Sequence, residues 1–130
     1  MGRTRTIIFN GTVASGAEAY LFSRRMHRPF MVREIYASWP AGCNRLVQAH
    51  PYHTGTDSAP ATGKPDGTNL LTDGSLEPWL VGDGDYRLIK NETGKIDAGG
   101  YLCIYLLNGD GTAHTVDAYI TIEEIDSKEL

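Results

Sequence analysis

Tyr101-Leu-Cys-Ile-Tyr-Leu-Leu107 is apolar at both parities, and after Asn108-Gly-Asp-Gly111 comes His114-Thr-Val-Asp-Ala-Tyr-Ile-Thr-Ile122, in which apolar and polar residues alternate. Successive side chains of a strand point to opposite faces. The first run therefore predicts a strand covered on both faces, and the second a strand with one face in a core and one outside. Val116, Ala118, Ile120 and Ile122 form the inward set of the second strand, and Thr115, Asp117, Tyr119 and Thr121 the outward set. Glycine and short polar residues between the two runs supply the turn.

The rest of the chain extends this pattern. Thr4 to Phe9 reads as a first strand, with Asn10-Gly11 as a primed turn into Thr12-Val13. Ala17 to Ser23 reads as a second strand, leading into the basic loop Arg24-Arg25-Met26-His27-Arg28. Pro29 to Trp39 is a long strand ending at Pro40-Ala-Gly42, and Arg45 to His50 returns from that turn. Thr54 to Gly67, rich in Gly, Ser, Thr, Pro and Asp, has no periodicity and predicts a long surface loop, the kind of segment that in compact domains tends to be functional. Short apolar segments follow at Leu70-Leu71 and Trp79-Leu80-Val81. Gly82-Asp-Gly-Asp85 is a turn, Tyr86 to Lys90 a strand, and Asn91-Glu-Thr-Gly94 a further turn. With 15 Gly and 6 Pro and no apolar pattern of period 3.6 sustained over three turns, helix signals are nearly absent. The expectation is an all-β chain, a single domain over 1–130, with about eight antiparallel strands in a two-sheet sandwich of the jelly-roll kind.

Composition fits a folded core: 41% of the 130 residues are apolar and 22% charged, which argues against wholesale disorder. The apolar run at Ile7-Ile8-Phe9 is too short for a secretory leader, and no window approaches a membrane span. The reading is a soluble protein made in the cytoplasm. Cys43 and Cys103 have no CxxC partner, and their expected state is two buried thiols, with a disulfide as the alternative in an oxidising environment. Net charge is −4, but it is unevenly spread. Residues 1–45 carry seven Arg against two acids, whereas 46–130 carry five basic residues against fourteen acids, with an acidic run at Glu123-Glu124-Ile125-Asp126. Such asymmetry suits charge-complementary contact with another copy or another protein.

Residue sets that carry chemistry are sparse. His50-Pro-Tyr-His53, with Asp57 nearby and His114 distant in sequence, places two imidazoles on an expected turn where they would hold a metal. The spacing lacks the His-x-His and following Glu of cupin-type enzymes. Asp83-Gly-Asp85 and Asn108-Gly-Asp110 are oxygen-rich turns without the alternating acids and closing Glu of a dedicated calcium loop. There is no GxSxG nucleophile motif, and Gly94-Lys95 lacks the glycine-rich loop of a phosphate site. Trp39, Trp79 and Tyr52 raise a sugar-binding alternative, in which exposed rings at a sheet edge stack on a pyranose. The expectation is therefore no enzyme, no metal and no cofactor. A metal-dependent jelly-roll enzyme stands as a further alternative.

The run from Ile96 to Ile122, in which Gly99-Gly100 precede an apolar strand, an Asn-Gly-Asp-Gly turn and an alternating strand, is similar to the closing hairpin of jelly-roll virion proteins from tailed phages and related viruses. That resemblance carries over no functional residue. It implies a virion structural protein, a capsid decoration or head-associated component that self-associates, with a trimer as first expectation, and docks on a major capsid or other virion protein. No membrane or nucleic-acid partner is expected. The residues expected at such interfaces are Arg3, Arg5, Arg24, Arg25 and Arg28, meeting an acidic surface, together with Trp39, Trp79 and Tyr119. The Thr54–Gly67 loop is expected to cover a neighbouring copy.

Overall fold

A computed structural model describes residues 3–71, 79–90 and 93–125. The Asn91–Gly94 turn lies partly, and the Asp126 end of the acidic run wholly, outside them. Eight strands follow one another along the chain: β1 (Arg3–Val13), β2 (Glu18–Phe22), β3 (Phe30–Ser38), β4 (Val47–Thr54), β5 (Gly67–Asn69), β6 (Tyr86–Ile89), β7 (Tyr101–Asn108) and β8 (His114–Glu124). They form two four-stranded antiparallel sheets, β1-β8-β3-β6 and β2-β7-β4-β5. Among the described residues there is no helix, and hence none long and apolar enough to cross a membrane.

The pairing is nested. β1 pairs with β8, β2 with β7, β3 with β6 and β4 with β5, as in one long antiparallel ribbon folded at its middle. That ribbon is then rolled, so that β8 also pairs with β3 and β7 with β4, and the roll closes two stacked sheets. This is jelly-roll wiring. Phe9, Val13, Phe30, Val32, Ile35, Ala37, Val116, Ala118, Ile120 and Ile122 from the first sheet meet Val47, Ala49, Leu102, Ile104 and Leu106 from the second in one core. The inward set expected for β8 is the buried one.

Three local expectations are corrected. Asn10-Gly11 is not a turn: β1 runs unbroken to Val13, and the chain turns only at Ser15-Gly16. The Asn10 side chain donates instead to Asp117 on β8. Gly11 is small because a Cβ there would lie 2.5 Å from Leu21 Cδ2 of β2. His50-Pro-Tyr-His53 is not a turn either, but the middle of β4, paired residue by residue with β7. Pro51 is tolerated because its carbonyl accepts from Leu70 N, at the far side from β7. A strand residue directs its N–H and C=O to the same side, so the missing donor falls beyond the end of β5 and the β7 ladder loses nothing. Finally, the return into β4 is made by Cys43–Leu46, where Leu46 N donates to Cys43 O at 2.9 Å. Asn44 and Arg45 there are both left-handed, with φ of 54° and 59°, the geometry of a type I′ turn.

Candidate functional site: two outer faces, one covered and one bare

In each sheet the strand register lines up a row of large side chains on the face turned away from the core. On the β2-β7-β4 sheet, Tyr20, Tyr105 and His50 lie opposite one another. Tyr20 stacks on Tyr105 at 5.1 Å, His50 sits 5.0 Å from Tyr105, and Trp79 follows at 5.7 Å from His50. Although this face points outward, His50, Tyr105, Tyr52 and Cys103 are all buried. The expectation that β7 is covered on both faces therefore holds, and its second cover is the 55–66 loop together with Trp79. Gly63 N and Thr62 Oγ1 donate to the Glu18 carboxylate at 2.7 and 3.2 Å. The Tyr20 hydroxyl lies 2.8 Å from that carboxylate and 2.5 Å from the Gly63 carbonyl, with one hydrogen to serve both. These bonds, that of Tyr20 foremost, hold the Glu18 carboxyl below its usual range. The loop expected to cover a neighbour thus folds over its own sheet.

Burial governs titration in this layer. Desolvation, and secondarily Lys64, lowers the His50 pKa to about 4, and desolvation pushes the Cys103 thiol up to about 12. Such a thiol is inert at neutral pH. Cys43, in the turn before β4, is also buried and free, so no disulfide joins the two.

The β1-β8-β3-β6 sheet is different. Ile8 opposes Tyr119, Tyr119 opposes Tyr36, and Tyr36 opposes Leu88, so one row crosses all four strands. Tyr36 and Tyr119 stack at 4.6 Å with planes 13° apart, and Tyr86 joins Tyr36 at 5.6 Å. No described segment covers this row: Ile8 is 78% exposed, Tyr86 61% and Leu88 40%. Beside it run the cross-strand hydroxyl pairs Thr6–Thr121 and Thr12–Thr115 and the Asn10–Asp117 bond. An apolar centre with a polar rim results.

The residues singled out in sequence are scattered. Tyr119 lies in the bare row. Trp39 does not sit at an exposed sheet edge; it is 3% exposed in the core, because it follows directly on β3 and keeps the inward parity of Ile35 and Ala37. Tyr52, also buried, offers no ring to a sugar, and Trp79 is half-buried against His50. Arg3 and Arg5 already meet an acid of their own chain, Glu124, at 3.2 and 3.3 Å. Arg24, Arg25 and Arg28 are exposed in the loop after β2. The shared metal ion fails on geometry: His50 faces the outer layer, while His53, three residues on, turns to the core side against Phe30 and Gly99 O. His114 stands at the other end of β8, 2.6 Å from Asp110. Among the described residues no cluster of three or more His, Cys, Asp or Glu is placed to hold a metal.

Ile8, Tyr36, Tyr86 and Leu88 were missed in the sequence. Ile7-Ile8-Phe9 is apolar throughout, so no alternation tells which residue faces out. The only available signal was Tyr119, whose outward parity is legible and whose neighbours follow once the register is known.

The wiring makes the chain a jelly-roll β-sandwich, one outer face of which no described segment covers. Among solved structures it is similar to a chain of the crystal structure of infectious bursal disease virus VP2 subviral particle, at 14% identity and a TM-score of 0.31, with 99% of this chain and 43% of that one covered. This chain thus spans less than half the length of that relative. No family model and no curated protein matches the sequence.

Proposed function

We propose that this protein is a virion structural component, of the capsid-decoration or head-associated kind, that assembles with copies of itself on a larger shell through the outer face of the β1-β8-β3-β6 sheet. The observation that carries this reading is the contrast between the two outer rows. The chain covers Tyr20–Tyr105–His50 with its own loop and leaves Ile8–Tyr119–Tyr36–Leu88 uncovered among the described residues. A contiguous exposed apolar patch with a polar rim marks a contact surface. Stacking of Tyr36 on Tyr119 occupies ring faces that a sugar would need, which favours protein over carbohydrate as the occupant. Repetition of one face around a symmetry axis closes a ring, and a trimer remains the arrangement proposed.

Sedimentation analysis over a concentration series tests the self-association. The expected result is a closed oligomer that an Ile8→Lys, Leu88→Lys variant reduces to monomer without change in its circular dichroism. A wild-type monomer at every concentration, absent from the pellet when mixed with assembled capsid shells, would refute the reading.

A further inference from the structure

A sandwich that is not closed into a barrel has four sheet edges, and proteins keep such edges harmless by making them short, bulged or proline-bearing. Three edges here are short: β2 has five residues, β6 four and β5 three. The fourth, β1, has eleven. It contains no proline, and its register with β8 runs without a bulge from Arg3 to Val13. Among the described residues its outer side pairs with no further strand, so that away from the Val13 end, where Asn108 donates to Val13 O, it offers a template for another strand.

The chemistry beside that edge is specific. Towards Val13 the turn into β2 keeps the two sheets close. Towards Arg3 they part, because after Phe22 the chain leaves β1 and follows β7: Ser23 N donates to Leu102 O and Met26 N to Gly100 O. Between lies an open cleft of about 320 Å³ lined by Arg5, Thr6, Ile7 and Ile8 on one wall and Phe22 to Met26 on the other. Arg24 and Arg25 are exposed, and neither has an ion-pair partner among the described residues. Arg5 is held by Glu124 but stays 49% exposed. The cleft thus combines the edge of β1, which pairs with no further strand among the described residues, with three arginines, Arg5, Arg24 and Arg25, among its lining residues.

We infer that this cleft captures an extended acidic segment of a partner protein, which adds as a strand to the free edge of β1 while its carboxylates meet Arg5, Arg24 and Arg25. Main-chain bonds supply affinity in such strand addition, and side-chain contacts at every second residue supply selectivity. Guanidinium–carboxylate bonds are strong, charge-assisted and directional. The favoured segment carries acids at alternate positions. The same arginines repel a like-charged edge, so they select against basic strands. Nucleic acid is disfavoured by a net charge of −4 and by the main-chain template, which pairs with peptide rather than phosphate.

The probe is a fluorescein-labelled, end-capped peptide of about eight residues, an ordinary strand length, alternating Glu and Val. Its binding to the full chain is read by anisotropy at low and at physiological salt. Expected are saturable binding, weakening of about tenfold or more in an Arg24→Glu, Arg25→Glu variant, and slowed amide exchange at alternate residues of Thr4–Ile8. Both substituted residues are exposed, and circular dichroism checks that the variant is folded. An alternating Lys–Val peptide should not bind. The inference is overturned by absence of binding, by equal affinity of the folded double variant, by binding without protection of β1, or by a single-stranded oligothymidine displacing the peptide at equal charge. These outcomes are independent of whether the Ile8–Leu88 face mediates self-association.

Discussion

Mild acidification, below pH 6.5, should destabilise this protein through the buried imidazole of His50. His50 is 1% exposed, its ring lies against those of Tyr105 and Trp79, and its Nδ1 has no partner among the described residues. The folded chain therefore holds it neutral, with its pKa lowered from 6.5 to about 4 by burial and then by Lys64. The unfolded chain protonates it at the ordinary value. Between the two values the unfolded state binds more protons, so stability is complete above the ordinary pKa and falls as pH drops through the window. At about 1.4 kcal/mol per pH unit, the whole window removes about 3 kcal/mol, a large share of the ~5–15 kcal/mol typical of a domain. Urea unfolding at a series of pH values, followed by Trp fluorescence and circular dichroism, measures it. A His50→Phe variant keeps a ring in the stack and loses the titration, so its stability should lack this fall. The Glu18 carboxyl, held low chiefly by Tyr20 and then by Gly63, also loses its contribution in acid, but only below its ordinary value of 4.5, which separates the two. Parallel stability profiles of wild type and His50→Phe between pH 6.5 and about 4 would show that His50 is not desolvated as argued.

Asn108, 1% exposed, places the two hydrogens of its Nδ2 within reach of three carbonyls, Val13 O, Ala14 O and Thr112 O, and accepts from Asp110 N, tying the β7–β8 turn to the β1–β2 turn. Asn108→Ala removes these buried bonds and should cost about 2–4 kcal/mol in urea unfolding. Arg45→Gly should raise the melting temperature, since it relieves a left-handed backbone at a cost of about 1 kcal/mol and creates the Asn-Gly pair that type I′ turns favour. Both cysteines should resist alkylation in the native protein and react only on unfolding, because each thiol is buried with its pKa raised by desolvation; rapid labelling of either would contradict the burial.

Much of the strand inventory was legible because period-2 alternation and turn chemistry are local. β3, β7 and β8 fall close to their expected limits, and the two-sided burial of β7 followed from its apolar residues at both parities. Local reasoning failed where a tertiary contact overrode a local signal. Asn10-Gly11 is a strong turn pair, yet Asn10 meets Asp117 across the strand and Gly11 makes room for Leu21. Pro51 marks a break in isolation, yet its missing donor points past the end of β5.

The sequence by itself determined that the chain is built of short strands, which face of β8 turns inward, and that positive charge gathers in the first third. Only the tertiary structure decided which strands pair, and so which side chains share a row. Ile8, Tyr119, Tyr36 and Leu88 come from four strands and are distant along the chain. Their alignment depends on non-local register, which no window of neighbouring residues encodes. The same holds for the cover of the second sheet and for the cleft beside β1: both arise where segments remote in sequence meet or part as the ribbon rolls.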